Sequence, residues 1–413
     1  MKKKSILILV SILSLILVVL GWWIIIQDPQ PPLQVEPTAA QTELIFPATA
    51  QEIDWENREI YKSGLTADAQ FILAELPQAS TYYISLEINE DPTQDINGHQ
   101  ILRYFNAENE PLGEIYFRLF PNFEGGSITI SNLTVDGAEA KTYLEAADSA
   151  LRVELAEGLE PGESVVLELD FILGIPTEMG GNYGLFGYFD DVLVLDVFYP
   201  VIPAYDEDGW YSQHPQMNGD LTYQDASFYL VQVKAPADMT LVSSGVAVDR
   251  QVDGSQQTVV LAAGPARDFY LAGSQEYVEL KEQVGELTVK VHVKKEYELH
   301  QGYALDYSLK AIEILSERVG DYPYTEFEVM SSPMRALGIE YPGMTSIVVD
   351  EFVAGGEMYG MPTENMLEST LAHEVGHAWF YNVVGNDQQN EPWVDEALVQ
   401  YMTYIYYLDR YGS

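Results

Sequence analysis

From about Tyr82 to Val293 the apolar positions recur mostly every second residue. Tyr82, Ile84, Leu86 and Ile88 alternate with other side chains, as do Ile115, Phe117 and Leu119, then Val165, Leu167, Leu169 and Phe171, and finally Leu287, Val289, Val291 and Val293. A period of two puts these side chains on one face of extended strands and leaves the other face wet. Pro161-Gly162, Asn218-Gly219, Asp253-Gly254 and Gly125-Gly126 supply turn chemistry between many of the runs. No long helical period intervenes, so residues 51–275 are expected to form a β-rich antiparallel sandwich or saddle of sheets.

After about Glu296 the period changes. Leu305, Leu309, Ile312 and Leu315 fit one face of a helix, Phe327 to Met330 and Ser346 to Asp350 fit short strands, and further helices are predicted after Thr363 and after Pro392. Thr363 is the expected cap of the first of these, and Pro392 the expected first position of the second. The class is therefore α+β, with the boundary near Glu276 and a mixed α/β domain over 276–413.

The N-terminus follows neither period. Lys2, Lys3 and Lys4 precede the 22 uncharged residues Ser5 to Ile26, which as a helix would rise about 33 Å, enough to span a bilayer. Residues 1–26 are predicted to be a cytoplasmic basic tip and a transmembrane signal anchor, and residues 27–50 a Pro/Gln-rich stalk. By the positive-inside rule this gives a single-pass cell-membrane protein, N-terminus cytoplasmic and the remainder extracytoplasmic. The alternative is a cleaved signal peptide, whose apolar core is shorter and whose small-residue site lies close behind; Ala48-Thr49-Ala50 is far downstream.

Charge and composition narrow the function. The chain has 413 residues, with 20 Lys and Arg against 64 Asp and Glu, a net charge of -44. Such a surface repels a nucleic-acid backbone, so nucleic acid is excluded as a partner. Cysteine is absent, which removes disulfides, a thiolate nucleophile and Cys-ligated metal, and leaves His, Asp and Glu as metal ligands. Oligomeric state is not legible.

Four of the six histidines, His99, His214, His292 and His300, are scattered and read as surface or hydrogen-bonded residues, with His292 on the polar face of its strand. The other two fall in His373-Glu374-Val375-Gly376-His377. A spacing of four on a helix sets both imidazoles on one face, able to grip one ion. Leu367, Leu371, Val375 and Ala378 form the apolar stripe beside them. Asn390-Glu391-Pro392-Trp393-Val394-Asp395-Glu396 then opens a second helix with carboxylates in its first turn. Two imidazoles and a carboxylate leave one position of a tetrahedral Zn2+ site for water, the open geometry of a hydrolytic centre. Glu374 is placed to act as general base on that water.

Glu396 follows His377 after eighteen residues, and HExxH with that spacing resembles the gluzincin metallopeptidases of the M1 aminopeptidase family, here C-terminally truncated. The resemblance implies a thermolysin-like catalytic domain after the β-rich one, one zinc per chain on His373, His377 and Glu396, and catalysis by Glu374. Gly338-Ile339-Glu340-Tyr341 resembles the family's GxMEN motif, which implies that Glu340 binds a substrate's free amine. Only the Glu of that motif matches strictly, and the family's second amine-binding residue, carried in the β domain, has no visible counterpart. The family's transition-state Tyr lies tens of residues past the third ligand, whereas Ser413 stands 17 past Glu396. The expected function is zinc-dependent hydrolysis of peptide or protein substrates, removing N-terminal residues. The alternatives are a catalytically impaired zinc-site binding or scaffold protein at the cell surface, and an endopeptidase using the same cleft.

Overall fold

A computed structural model describes residues 46–412 apart from Pro215 and Met217. The predicted anchor and nearly all of the stalk lie outside the described residues. Among those described, no helix is long and apolar enough to cross a membrane.

The period-two runs form a β-rich sandwich. Its largest sheet runs in the order Val246–Asp253, Gln256–Ala266, Ser227–Pro236, Thr81–Glu87, Ile96–Phe105, Ser164–Gly174, Ser127–Val135, Ala138–Glu139. Neighbours are antiparallel except for Thr81–Glu87 beside Ser227–Pro236, a parallel pair. Parallel neighbours need a long crossover, and the connection over 88–226 contains one smaller sheet and two strands of another. One joins Leu112–Arg118, Ala150–Leu159 and Thr142–Glu145; the other runs Thr240–Ser243, Leu271–Ser274, Val192–Leu195, Phe186–Phe189. A single apolar core joins all three sheets, through Ile84, Leu86 and Phe171 of the first, Ile115 and Val153 of the second, and Leu193 and Leu271 of the third.

The mixed part contains a five-stranded sheet of β1 (Tyr277–Val284), β2 (Leu287–Lys294), β3 (Glu326–Ser332), β4 (Gly338–Tyr341) and β5 (Met344–Val348), in the order β1-β2-β3-β5-β4. Helix α1 (Glu298–Arg318) makes the crossover between the parallel strands β2 and β3. Helices α2 (Thr363–Glu374) and α3 (Trp393–Tyr411) pack with it over one sheet face, where Val289, Val291, Phe327 and Ile347 meet Ile312, Leu315, Leu367, Leu371 and Tyr406. Leu367 and Leu371 are fully buried, and truncating either to Ala would cost about 2–5 kcal/mol.

The opposite face is also covered. Val242 and Ala272 of the four-stranded sheet, with Tyr270 just before its strand Leu271–Ser274, pack on Met330, Tyr341 and Met344, and the rings of Tyr270 and Tyr341 stack with centroids 4.0 Å apart. This corrects the expectation of a wet face on β2. His292 pairs in register with Met330 and is 1 % exposed, because the four-stranded sheet closes that side. The expected cap is corrected as well. Pro362 occupies the N-cap of α2, and Thr363 instead donates its hydroxyl to the Val353 carbonyl at 2.7 Å. Pro392 is the N-cap of α3 rather than its first residue.

Candidate metal centre

Helix α2 carries His373 and Glu374 in its last turn, and the chain then tightens into a 3-10 turn over Val375–Ala378 that carries His377. The imidazoles still converge, with Nε2 of His373 and Nε2 of His377 3.4 Å apart. Helix α3 brings the third donor. Gly376 permits its approach, since a Cβ there would stand 2.9 Å from a methyl of Val399. One turn before Val399, Glu396 places Oε2 3.1 Å from Nε2 of His373. These three groups, within 4.8 Å of one another, could hold a metal ion.

The surroundings orient the donors. Nδ1 of His377 lies 3.1 Å from the Phe380 carbonyl and donates to it, which leaves the Nε2 lone pair facing the other donors. Burial, and then the neighbouring His373, lower the His377 pKa to about 4, so this ring is neutral at physiological pH. Asp395 lies 4.0 Å from the same ring and accepts hydrogen bonds from Gln388 at 2.8 Å and Asn386 at 3.3 Å. Glu396 is half exposed, so the donors face an open cleft.

Glu374 is buried at 6 % exposure, and its Oε2 has no hydrogen-bond partner among the described residues. Desolvation pushes its carboxyl up to about 8, against the pull of His373. Its other oxygen occupies space left by Gly338 on the edge strand β4.

Glu340 follows on the same strand, 7 % exposed and 3.6 Å from the His377 ring, and accepts a hydrogen bond from Gln388 at 3.2 Å. Burial, then Asp220, hold its carboxyl well above the usual carboxylate range. Asp220, from the connection before Ser227–Pro236, lines one recess with Glu340. Burial first, and then Glu396, push Asp220 up to about 7. Sequence reading missed Asp220, Gln388 and Asp395 as parts of this site. Nothing local marks Asp220, which follows the Asn218-Gly219 turn with no periodic pattern of its own. The four scattered histidines lie outside the three-donor groups.

The Peptidase family M1 domain profile matches residues 303–412. Aminopeptidase M1-B of Oryza sativa subsp. japonica is 22% identical over 188 residues, covering 43% of this chain and 21% of that protein. Probable aminopeptidase 2 of Sulfurisphaera tokodaii is 22% identical over 179 residues, covering 43% of this chain and 23% of that protein. The match thus spans about a fifth of the length of these curated relatives. The crystal structure of an M1 zinc metallopeptidase from Deinococcus radiodurans shares the fold, with a TM-score of 0.57 at 17% identity, over 81% of this chain and 72% of that one. The β-rich sandwich followed by a mixed α/β part is common to both, and residues 303–412 of this chain carry the match to the M1 peptidase family.

Proposed function

We propose that this chain is a zinc-dependent peptidase that removes N-terminal residues from peptides, with His373, His377 and Glu396 as the zinc ligands. The observation that carries the reading is the spacing of the three donors. Ligands about 2.0–2.1 Å from a tetrahedral zinc ion stand roughly 3.3 Å from one another, and the separations here are 3.4 and 3.1 Å. Without an ion, the two Nε2 atoms have little reason to face each other at that distance, so the donor set fits zinc. When bound, zinc supplies a Lewis acid that acidifies water and polarises a carbonyl.

The protein's own groups do the rest. Glu374 Oε2, unpartnered and buried beside the donors, takes a proton from the attacking water and returns it to the leaving amine. Glu340 and Asp220, lining one recess, hold the substrate's α-ammonium by charge-assisted hydrogen bonds and so fix how far the scissile bond lies from the metal donors. Gln388 bridges Glu340 and Asp395, tying the amine anchor to the helix that carries Glu396. A variant of the Deinococcus radiodurans enzyme has been crystallised with a Tyr-Ser-Ala substrate, and a free peptide is the substrate class assigned to this cleft.

The test is metal analysis of the full chain together with hydrolysis of paired peptides differing only in N-terminal acetylation. One zinc per chain, with cleavage of the free peptide and sparing of the acetylated one, is the expected result. Equal cleavage of both would replace the exopeptidase reading by an endopeptidase one. A zinc-loaded chain that cleaves neither would overturn the peptidase.

A further inference from the structure

Residues 385–390 lie in the connection between the turn that carries His377 and helix α3, which carries Glu396. Asp387 ties this connection to itself. Its side chain accepts hydrogen bonds from the backbone N–H groups of Gln389 at 3.1 Å and Asn390 at 3.0 Å, and its carbonyl accepts one from that of Glu391 at 2.8 Å. A Cβ on Gly385 would stand 2.1 Å from the guanidinium carbon of Arg267, so the chain here runs directly against the β-rich part.

From this one connection two consecutive side chains reach three different elements. Gln388, 3 % exposed, donates to Glu340 Oε1 on β4 at 3.2 Å and to Asp395 Oδ2 on α3 at 2.8 Å. An amide nitrogen carries two N–H groups, so one side chain can serve two carboxylates at once. Among the described residues neither Glu340 nor Asp395 pairs with a lysine or arginine, and the Gln388 amide is the donor they share. Gln389, 8 % exposed, donates to the main-chain carbonyl of Asp220. That bond holds the backbone of Asp220 and does not consume its carboxylate. Neither Glu340 nor Asp220 sits on an element that carries a metal donor, so their reach from the donors is set by what bridges the elements.

We propose that Gln388 and Gln389 are positioning residues, which from one connection hold Glu340 and Asp220 at a fixed reach from the metal donors and so set the cleft to receive a free α-ammonium. The proposal rests on the peptidase reading above for the roles of Glu340 and Asp220. A charge-assisted hydrogen bond depends on geometry, and a carboxylate released from its bridge no longer meets the ammonium at the required place. Removing either bridge is expected to weaken recognition of the α-amine by about tenfold without removing a metal donor.

Calorimetric titration of the zinc-loaded full chain with L-leucinamide and 4-methylpentanamide tests it, because the two probes differ only in the α-amine. The variants are Gln388→Met, which keeps the length and removes both donors, and Gln389→Met, which breaks a single bond to a carbonyl and is the milder change. Tighter binding of leucinamide by tenfold or more in the wild-type chain, with that ratio narrowed in both variants at unchanged zinc content, is the expected result. A merely structural role would weaken both probes by the same factor and leave the ratio as it was, which would overturn the proposal. Loss of zinc or of the folding transition in both variants would overturn it too, since the glutamines would then hold the fold and not the anchors. Equal affinity of the wild-type chain for the two probes would remove the amine anchors and the proposal with them. Turnover of a leucyl fluorogenic amide separates the two claims. Wild-type turnover with an unchanged ratio in the variants would leave the peptidase and remove the positioning role. Selective amine binding that the variants lose, without turnover, would leave the positioning role and remove the peptidase.

Discussion

Glu374 lies where a side chain on Gly338 would be: a Cβ built at that glycine would stand 2.3 Å from Glu374 Oε1. The edge strand and helix α2 approach this closely because position 338 has no side chain. Gly338→Ala should therefore displace the Glu374 carboxylate without touching any metal donor. A misplacement of about 1 Å can cost roughly a hundredfold in rate. The expected outcome is kcat reduced by about 10- to 100-fold at unchanged zinc content, checked by steady-state kinetics and metal analysis on one preparation. Unchanged kcat would show that Glu374 does not need its observed position.

Replacing the carboxyl itself is the sharper version. Glu374→Gln keeps the shape and the metal donors and removes the proton acceptor. Peptide hydrolysis should fall by about 10²–10⁴-fold while zinc remains bound. Retained turnover would remove Glu374 as the general base.

The donors come from two helices and the turn between them, so an ion bound by all three stabilises their packing. Zinc at about 100 times its dissociation constant should add about 2.7 kcal/mol to the folded state. The thermal midpoint should rise with added zinc and fall with a chelator, and His373→Ala should abolish that response. His99, hydrogen-bonded to Asp170 at 2.8 Å on the large sheet, is the control. His99→Ala should leave the zinc response intact.

Glu351 gives a pH dependence separate from the metal donors. It is fully buried, its Oε1 accepts the Thr370 hydroxyl at 2.9 Å, and its Oε2 has no partner among the described residues. Burial raises its pKa from the ordinary 4.5 to about 8. A raised carboxyl pKa means that the folded state keeps a proton that the unfolded chain has released. This contribution is fully present below 4.5 and is lost as pH rises through 8, at up to about 1.4 kcal/mol per pH unit in between. Glu351→Gln stays neutral throughout. Its thermal midpoint should fall less than the wild type's between about pH 5 and pH 8. Identical pH profiles for the two proteins would show that Glu351 does not titrate with folding.

The local patterns of this sequence carry as far as local geometry does. Alternation and turn residues mark the sandwich, since strand pleat and left-handed turn positions such as Asn218 and Gly254 are properties of a few consecutive residues. The stripe of Leu367, Leu371, Val375 and Ala378 marks helix α2 for the same reason, and the spacing of His373 and His377 keeps both rings on one side even where the helix tightens into a 3-10 turn. Capping was less legible. Thr363 has the right chemistry for a cap, but the Val353 carbonyl competes for its hydroxyl.

What lay outside the sequence is everything that depends on one sheet meeting another. The alternation over Leu287–Lys294 marks a polar face correctly and says nothing about the four-stranded sheet that buries it with His292. Asp196, Asp220 and Asp268 sit in connections with no period, far apart in the chain and far from Glu340. Only the packing of the β-rich part against β4 makes them one recess. The sequence by itself determined the strands, the helices and the donor spacing, because backbone geometry fixes those over a few residues. The tertiary structure decided which carboxylates face the cleft and which are buried without a counter-charge, because desolvation depends on what covers a residue.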